Sequence, residues 1–146
     1  MHLSRTAEYA LRAMAQLALL DEGVALPAQD LSNTTAIPVA YLSKVMRKMV
    51  LAGLVNAHKG HGGGFALSRP PAKIRFSDVL AAAGIDAREN DCAFGFARCN
   101  AKSPCPLHVA WKDLGDRFRS WALGTTLADV RTGDDRLIPL RLHKTT

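Results

Sequence analysis

Read from the N-terminus, apolar side chains return every third or fourth position: Leu3, Ala7, Ala10, Leu11, Met14, Leu17 and Ala18. This is the 3.6-residue period of a helix with one buried stripe. Ser4 is placed to cap its start, and the helix is expected to end near Asp21, Glu22 and Gly23. The stretch LPAQDLSN predicts a short second helix with Pro27 in its first turn and Ala28 and Leu31 facing inward. A third helix opens at Pro38 and runs to Ala52, closed by Gly53. Its expected buried side is Tyr41, Leu42, Val45, Met46 and Met49, and its outer side is Ala40, Ser43, Lys44, Arg47 and Lys48.

Beyond that point the period changes. LVNAHKG and GFALS are short strand-like runs on either side of the glycines Gly60 to Gly64. Glycine permits positive φ at a hairpin tip and leaves no side chain to obstruct an approaching partner. Lys59 and His61 sit at that tip. Helix, turn, helix and a basic glycine hairpin together predict a winged helix-turn-helix. In that architecture the second helix of the motif enters the major groove, and the wing follows the backbone or the minor groove. A nucleotide-binding loop is rejected, because a second apolar run and then Arg69-Pro70-Pro71 follow the glycines where a helix is required.

Ser77 is positioned to cap another short helix through Ala83. Periodicity then fails until Pro106, which suits the first turn of a long helix. On it Leu107, Trp111, Leu114, Phe118 and Trp121 recur at steps of three and four. In so small a chain this aromatic stripe points to a second copy as its partner, against the plainer alternative of an intrachain core helix. Thr126 to Val130 adds one more turn, and the residues from Thr132 read as a loose tail. The expected fold class is mainly α. A winged helix-turn-helix DNA-binding domain with a small two-stranded wing occupies residues 1–76. A cysteine loop and a long C-terminal dimerisation helix occupy 77–131, and a tail 132–146.

Composition changes this picture in two respects. Of 146 residues, 48% are hydrophobic and 22% charged, the balance of a chain that folds around a core. No apolar run approaches the ~20 residues that span a bilayer, so no membrane partner is expected. The N-terminus, broken by Arg5, Glu8, Arg12 and Gln16, does not read as a signal peptide. The expected compartment is the cytoplasm, where thiols stay reduced. The net charge of +6 is unevenly placed. Between Asp30 and Asp78 there is no acid, yet Lys44, Arg47, Lys48, Lys59, Arg69, Lys73 and Arg75 all fall there. Such a block is either a basic face without a partner or the footprint of a polyanion, and on this motif double-stranded DNA is the expected one.

The three cysteines, Cys92, Cys99 and Cys105, are separated by six and then five residues. Asp91, Arg98, Asn100, Lys102 and Ser103 surround them, which does not suit small buried hydrophobes. A permanent disulfide with one thiol left over fits poorly with a reducing compartment. Thiolates select zinc or iron–sulfur clusters. Zinc knuckles usually show cysteine pairs two to four residues apart, a pattern missing here, so a cluster is favoured and zinc stays open. Cys105 and His108 lie three apart at a helix start and so share a face. The positive helix end, with Arg98 and Lys102 nearby, favours thiolate and an anionic cluster.

With these parts assembled, the chain resembles the bacterial iron–sulfur winged-helix regulators typified by IscR and NsrR. The likeness runs through MHLSRTAEYALRAM, YLSKVMRKMVLAGLV, KGHGGGFALSRP, SPCPLHVAWKDLGDRF and TTLADV, covering about residues 1–131. The resemblance implies a homodimeric transcription factor, not an enzyme, with a cluster (2Fe–2S or 4Fe–4S) whose occupancy or redox state changes DNA affinity. It carries over Cys92, Cys99 and Cys105 as ligands. His108 stands where IscR-like members have a histidine ligand. Glu8 stands where NsrR-like members can draw a carboxylate from the partner subunit, so both are fourth-ligand candidates. The gap between the first two cysteines is one residue longer than usual in IscR, and Ser43 replaces an acidic residue of the IscR recognition helix.

The expected mechanism is a repressor gated by redox state, nitric oxide or the supply of iron or clusters. Ala40, Ser43, Lys44, Arg47 and Lys48 would meet the DNA, with Lys59 and His61 on the wing; Trp111, Leu114, Phe118 and Trp121 would pair the subunits. Two competing classes stand beside it. One is a cluster-free winged-helix regulator sensing by thiol oxidation or zinc. The other is an electron-transfer protein, which lacks a second cofactor motif and leaves the basic block without a purpose.

Overall fold

The structure, a computed structural model, describes residues 3–86, 92–94 and 100–131. Ser4 caps helix α1 (Arg5–Ala18), its hydroxyl accepting a hydrogen bond from the Ala7 N–H at 3.2 Å. Of the predicted stripe, Ala7, Ala10, Met14, Leu17 and Ala18 are buried while Leu3 and Leu11 are only partly so, and Ala13 and Ala15 are buried besides. Small side chains let neighbours approach closely, and α1 packs against α2 (Ala28–Thr35), α3 (Val39–Leu51) and α4 (Phe76–Ala82). It ends at Ala18, before the acidic Asp21-Glu22 pair expected to close it.

The turn between α2 and α3 is tight because Ala36 takes a left-handed conformation, φ 55°, which few non-glycine residues adopt. Ser32 holds the turn by donating its hydroxyl to the Ile37 carbonyl at 2.6 Å, and Thr35 donates to the Leu31 carbonyl. Both hydroxyls are buried and both are satisfied, as burial demands. Leu42, Val45, Met46 and Met49 of α3 are in the core as expected. Tyr41 is not. It is 50% exposed, its ring packing edge-to-face with Tyr9 of α1 rather than entering the interior.

Strands β1 (Val55–His58) and β2 (Gly64–Leu67) form an antiparallel pair, with Val55 opposite Leu67 and His58 opposite Gly64. The wing is pinned close to its glycine tip. Leu26, just before α2, exchanges two 2.9 Å backbone hydrogen bonds with Phe65. Gly64 allows this approach. Its φ is +129°, and a Cβ there would lie 2.2 Å from the Leu26 carbonyl oxygen.

Helix α4 begins two residues earlier than expected, so Ser77 lies in its first turn and is not its cap. The Arg75 N–H is instead taken by the Asp78 carboxylate at 2.8 Å. Helix α5 (His108–Gly124) starts two residues beyond Pro106, after a turn in which the His108 N–H donates to the Cys105 carbonyl at 3.0 Å. Its far end returns to the chain leaving the wing. The Phe76 N–H donates to the Thr125 carbonyl and the Leu127 N–H to the Ile74 carbonyl, each at 2.9 Å. A 3-10 turn (Leu127–Val130) supplies the predicted last turn. Ile74, Phe76, Val79, Leu80, Ala122, Leu127 and Val130 join the buried side chains of α1 and α3 in one core. Among the described residues no helix is long and apolar enough to cross a membrane. Cys99 and the tail 132–146 lie outside the described residues.

Candidate nucleic-acid interface and metal centre

The buried side of α3 fixes what its other side offers. Ala40, Ser43, Lys44, Arg47 and Lys48 are all exposed, as the periodicity predicted. Lys59 and His61 are exposed on the wing, and with His58 they line an open groove that also touches Pro27 and Ala28 at the start of α2. The Leu26–Phe65 bridge therefore fixes the wing relative to the helix pair. The ion pairs found among the described residues, Lys112–Asp116, Arg117–Asp113 and Arg119–Asp116, all lie on α5. Among the described residues the cations of α3 and the wing thus face solvent without carboxylate partners, which suits them to phosphate.

One group here leaves no trace in the local pattern of residues. Tyr9 and Tyr41 meet edge-on, with ring centroids 6.0 Å apart. Arg12 lies 5.5 Å from the Tyr9 centroid and Lys44 Nζ 6.0 Å from that of Tyr41. Helical period placed Tyr41 in the core, and a contact between residues 32 positions apart leaves no local signal.

The second candidate centre lies at the entry to α5. Cys92 is buried, while Cys105 and His108 are half-buried. A turn in which the Ser103 N–H donates to the Asn100 carbonyl, and the Lys102 N–H to the Asn100 side chain, leads into it. Two soft thiols and an imidazole have the donor chemistry of an iron–sulfur or zinc site. The fit rests on that chemistry and on the shared turn of Cys105 and His108. Among the described residues no three metal-ligating side chains converge, and Cys99 lies outside them. Glu8 is exposed in the first turn of α1.

Helix α5 is amphipathic with its apolar face outward. Leu107, Trp111, Leu114 and Trp121 are exposed, and Phe118 packs partly against the core. The polar face is held by the three ion pairs, in which the Lys112 hydrogen bond lowers the Asp116 carboxyl below its ordinary pKa. Such solvent-facing intrahelical pairs add little to stability, so the helix owes its place to its anchored C-terminal end.

Comparison with known proteins bears on these surfaces. The Rrf2 family, described as an iron-dependent transcriptional regulator, matches residues 3–132. The HTH-type transcriptional regulator IscR of Escherichia coli strain K12 is 29% identical over 130 residues, 89% of this chain and 80% of that protein. Among solved structures, CymR, the global cysteine regulator of B. subtilis, superposes with a TM-score of 0.76 at 20% identity, over 90% of this chain and 97% of CymR. IscR of T. potens superposes with a TM-score of 0.69 at 21% identity, over 90% and 87%. At these identities the structural likeness establishes the winged-helix fold.

Proposed function

The chain belongs to the Rrf2 family of transcriptional regulators, and from that premise we propose that it is a homodimeric repressor whose grip on its operator is set by an iron–sulfur cluster. Cys92, Cys99 and Cys105 would hold the cluster with a fourth ligand from His108 or from Glu8 of the partner subunit. When bound, such a cluster supplies a centre reactive toward electrons, nitric oxide or oxygen, tuned by its exposure and by hydrogen bonds to its sulfurs.

The observation that carries this reading is the span of α5. Its entry holds Cys105 and His108, and its far end is hydrogen-bonded to residues 74–76, which leave the wing. Any change in how the thiols are held bears on the start of the helix that anchors the DNA-reading head. The exposed apolar face of α5 supports a second copy as its cover, because Trp111, Leu114 and Trp121 are large side chains that each stay partly exposed in the single chain. Ala40, Ser43, Lys44, Arg47 and Lys48 would enter the major groove, and Lys59 and His61 would follow the backbone or minor groove.

The test is anaerobic purification followed by iron and acid-labile sulfide assay, a visible spectrum, and operator binding before and after chelation or nitric oxide. Visible bands with stoichiometric sulfide, and an affinity that changes when the metal is removed, are the expected results. Colourless protein carrying zinc or reactive thiols supports the cluster-free regulator instead. Metal removal without effect on binding overturns the gating.

A further inference from the structure

Resting on the reading of α3 as the groove-entering helix, we propose that Tyr41 is a positioning residue of the DNA-binding surface, holding the ammonium of Lys44 for phosphate. Tyr41 and Lys44 are three apart on α3, and so neighbours on one strip of its surface. Lys44 Nζ lies 6.0 Å from the Tyr41 ring centroid, within the range where the ring's negative face attracts a cation.

The ring is itself braced. Tyr9 meets it at an interplanar angle of 76°, the edge-to-face arrangement that aromatic quadrupoles favour. Tyr9 in turn lies beneath the guanidinium of Arg12, which donates from Nη1 to the Thr35 carbonyl at 3.3 Å. The series ties α1, the end of α2 and α3 into one surface patch. A solvent-facing lysine ordinarily samples many rotamers and loses that freedom on binding. A braced ring reduces the loss in advance, so Lys44 reaches phosphate at lower entropic cost.

The probe is the duplex that the wild-type protein enriches from a randomised library. Its binding is followed by fluorescence anisotropy across a salt series. Tyr41→Leu is expected to weaken binding about two- to fivefold, the effect of an exposed cation–π contact. It should also flatten the salt dependence toward that of Lys44→Ala, by up to ~0.9 in log–log slope. Tyr41→Phe, which keeps the ring, should bind as wild type. In a Lys44→Ala background Tyr41→Leu should cost almost nothing. Additive losses, an unchanged salt slope, or a Tyr41→Phe variant as weak as Tyr41→Leu would overturn the positioning role while leaving the head a DNA reader. Circular dichroism melts of each variant separate these results from unfolding. Failure to enrich any duplex overturns the reading of the head, and this inference with it.

Discussion

Phe76 and Trp121 meet edge to face, their ring centroids 5.4 Å apart and their planes at 89°. The contact sits where the chain leaving the wing crosses the end of α5. It lies beside the two backbone hydrogen bonds that join Ile74 and Phe76 to Leu127 and Thr125. Phe76 is 8% exposed. The DNA-reading head and the C-terminal end of α5 therefore share one core.

Phe76→Ala is expected to destabilise the protein by about 3–5 kcal/mol, the usual cost of emptying a buried phenylalanine site. Urea unfolding followed by tryptophan fluorescence measures it. Because Phe76 and Trp121 touch, a cycle with Trp121→Ala should return a coupling of about 0.5–1.5 kcal/mol.

Gly64→Ala should cost about 1–3 kcal/mol and weaken DNA binding beyond what the lost stability explains. A Cβ at this position strikes the Leu26 carbonyl while the backbone is held at φ +129°. Amide hydrogen exchange should show the Leu26 and Phe65 N–H groups losing protection together. Retained protection would mean that the wing accommodates the methyl by a shift elsewhere.

Arg47→Ala is expected to weaken binding similarly across DNA sequences and to lower the salt slope by ~0.9, as for one lost phosphate contact. Anisotropy titrations against specific and random duplexes report both. A loss confined to the specific duplex would make Arg47 a base reader instead.

Cys99→Ser should abolish visible absorbance and labile sulfide in anaerobically prepared protein while leaving its thermal unfolding cooperative. A coloured, sulfide-replete variant would strike Cys99 from the proposed ligands.

Much of the fold was legible along the chain, since α1, α2, α3 and the wing each bring a local periodicity or a glycine turn. The departures have physical reasons. Tyr41 carries the right phase for the core, but Tyr9 meets its ring at the surface. Ser77 is a good capping residue in the wrong place, because the pairing of Arg75 with Thr126 fixes the helix start two positions sooner. Pro106 marks the approach to α5, while the Cys105–His108 turn occupies the position expected to be helical. The bridges of Leu26 to Phe65 and of Arg75 to Thr126 join residues 39 and 51 positions apart, beyond any local pattern. The basic surface was readable because charge follows helical phase. The proposed cysteine ligands were readable only as chemistry and spacing.

The clamped end of α5 has a mechanical corollary. Seventeen residues make an arm about 25 Å long, fastened at one tip and bearing Cys105 and His108 at the other. Each ångström of sideways travel at the sulfur-bearing tip swings the fastening by roughly two degrees. Were the proposed cluster to hold that tip, leverage of this kind would turn a slight rearrangement of the thiols into a change of aim.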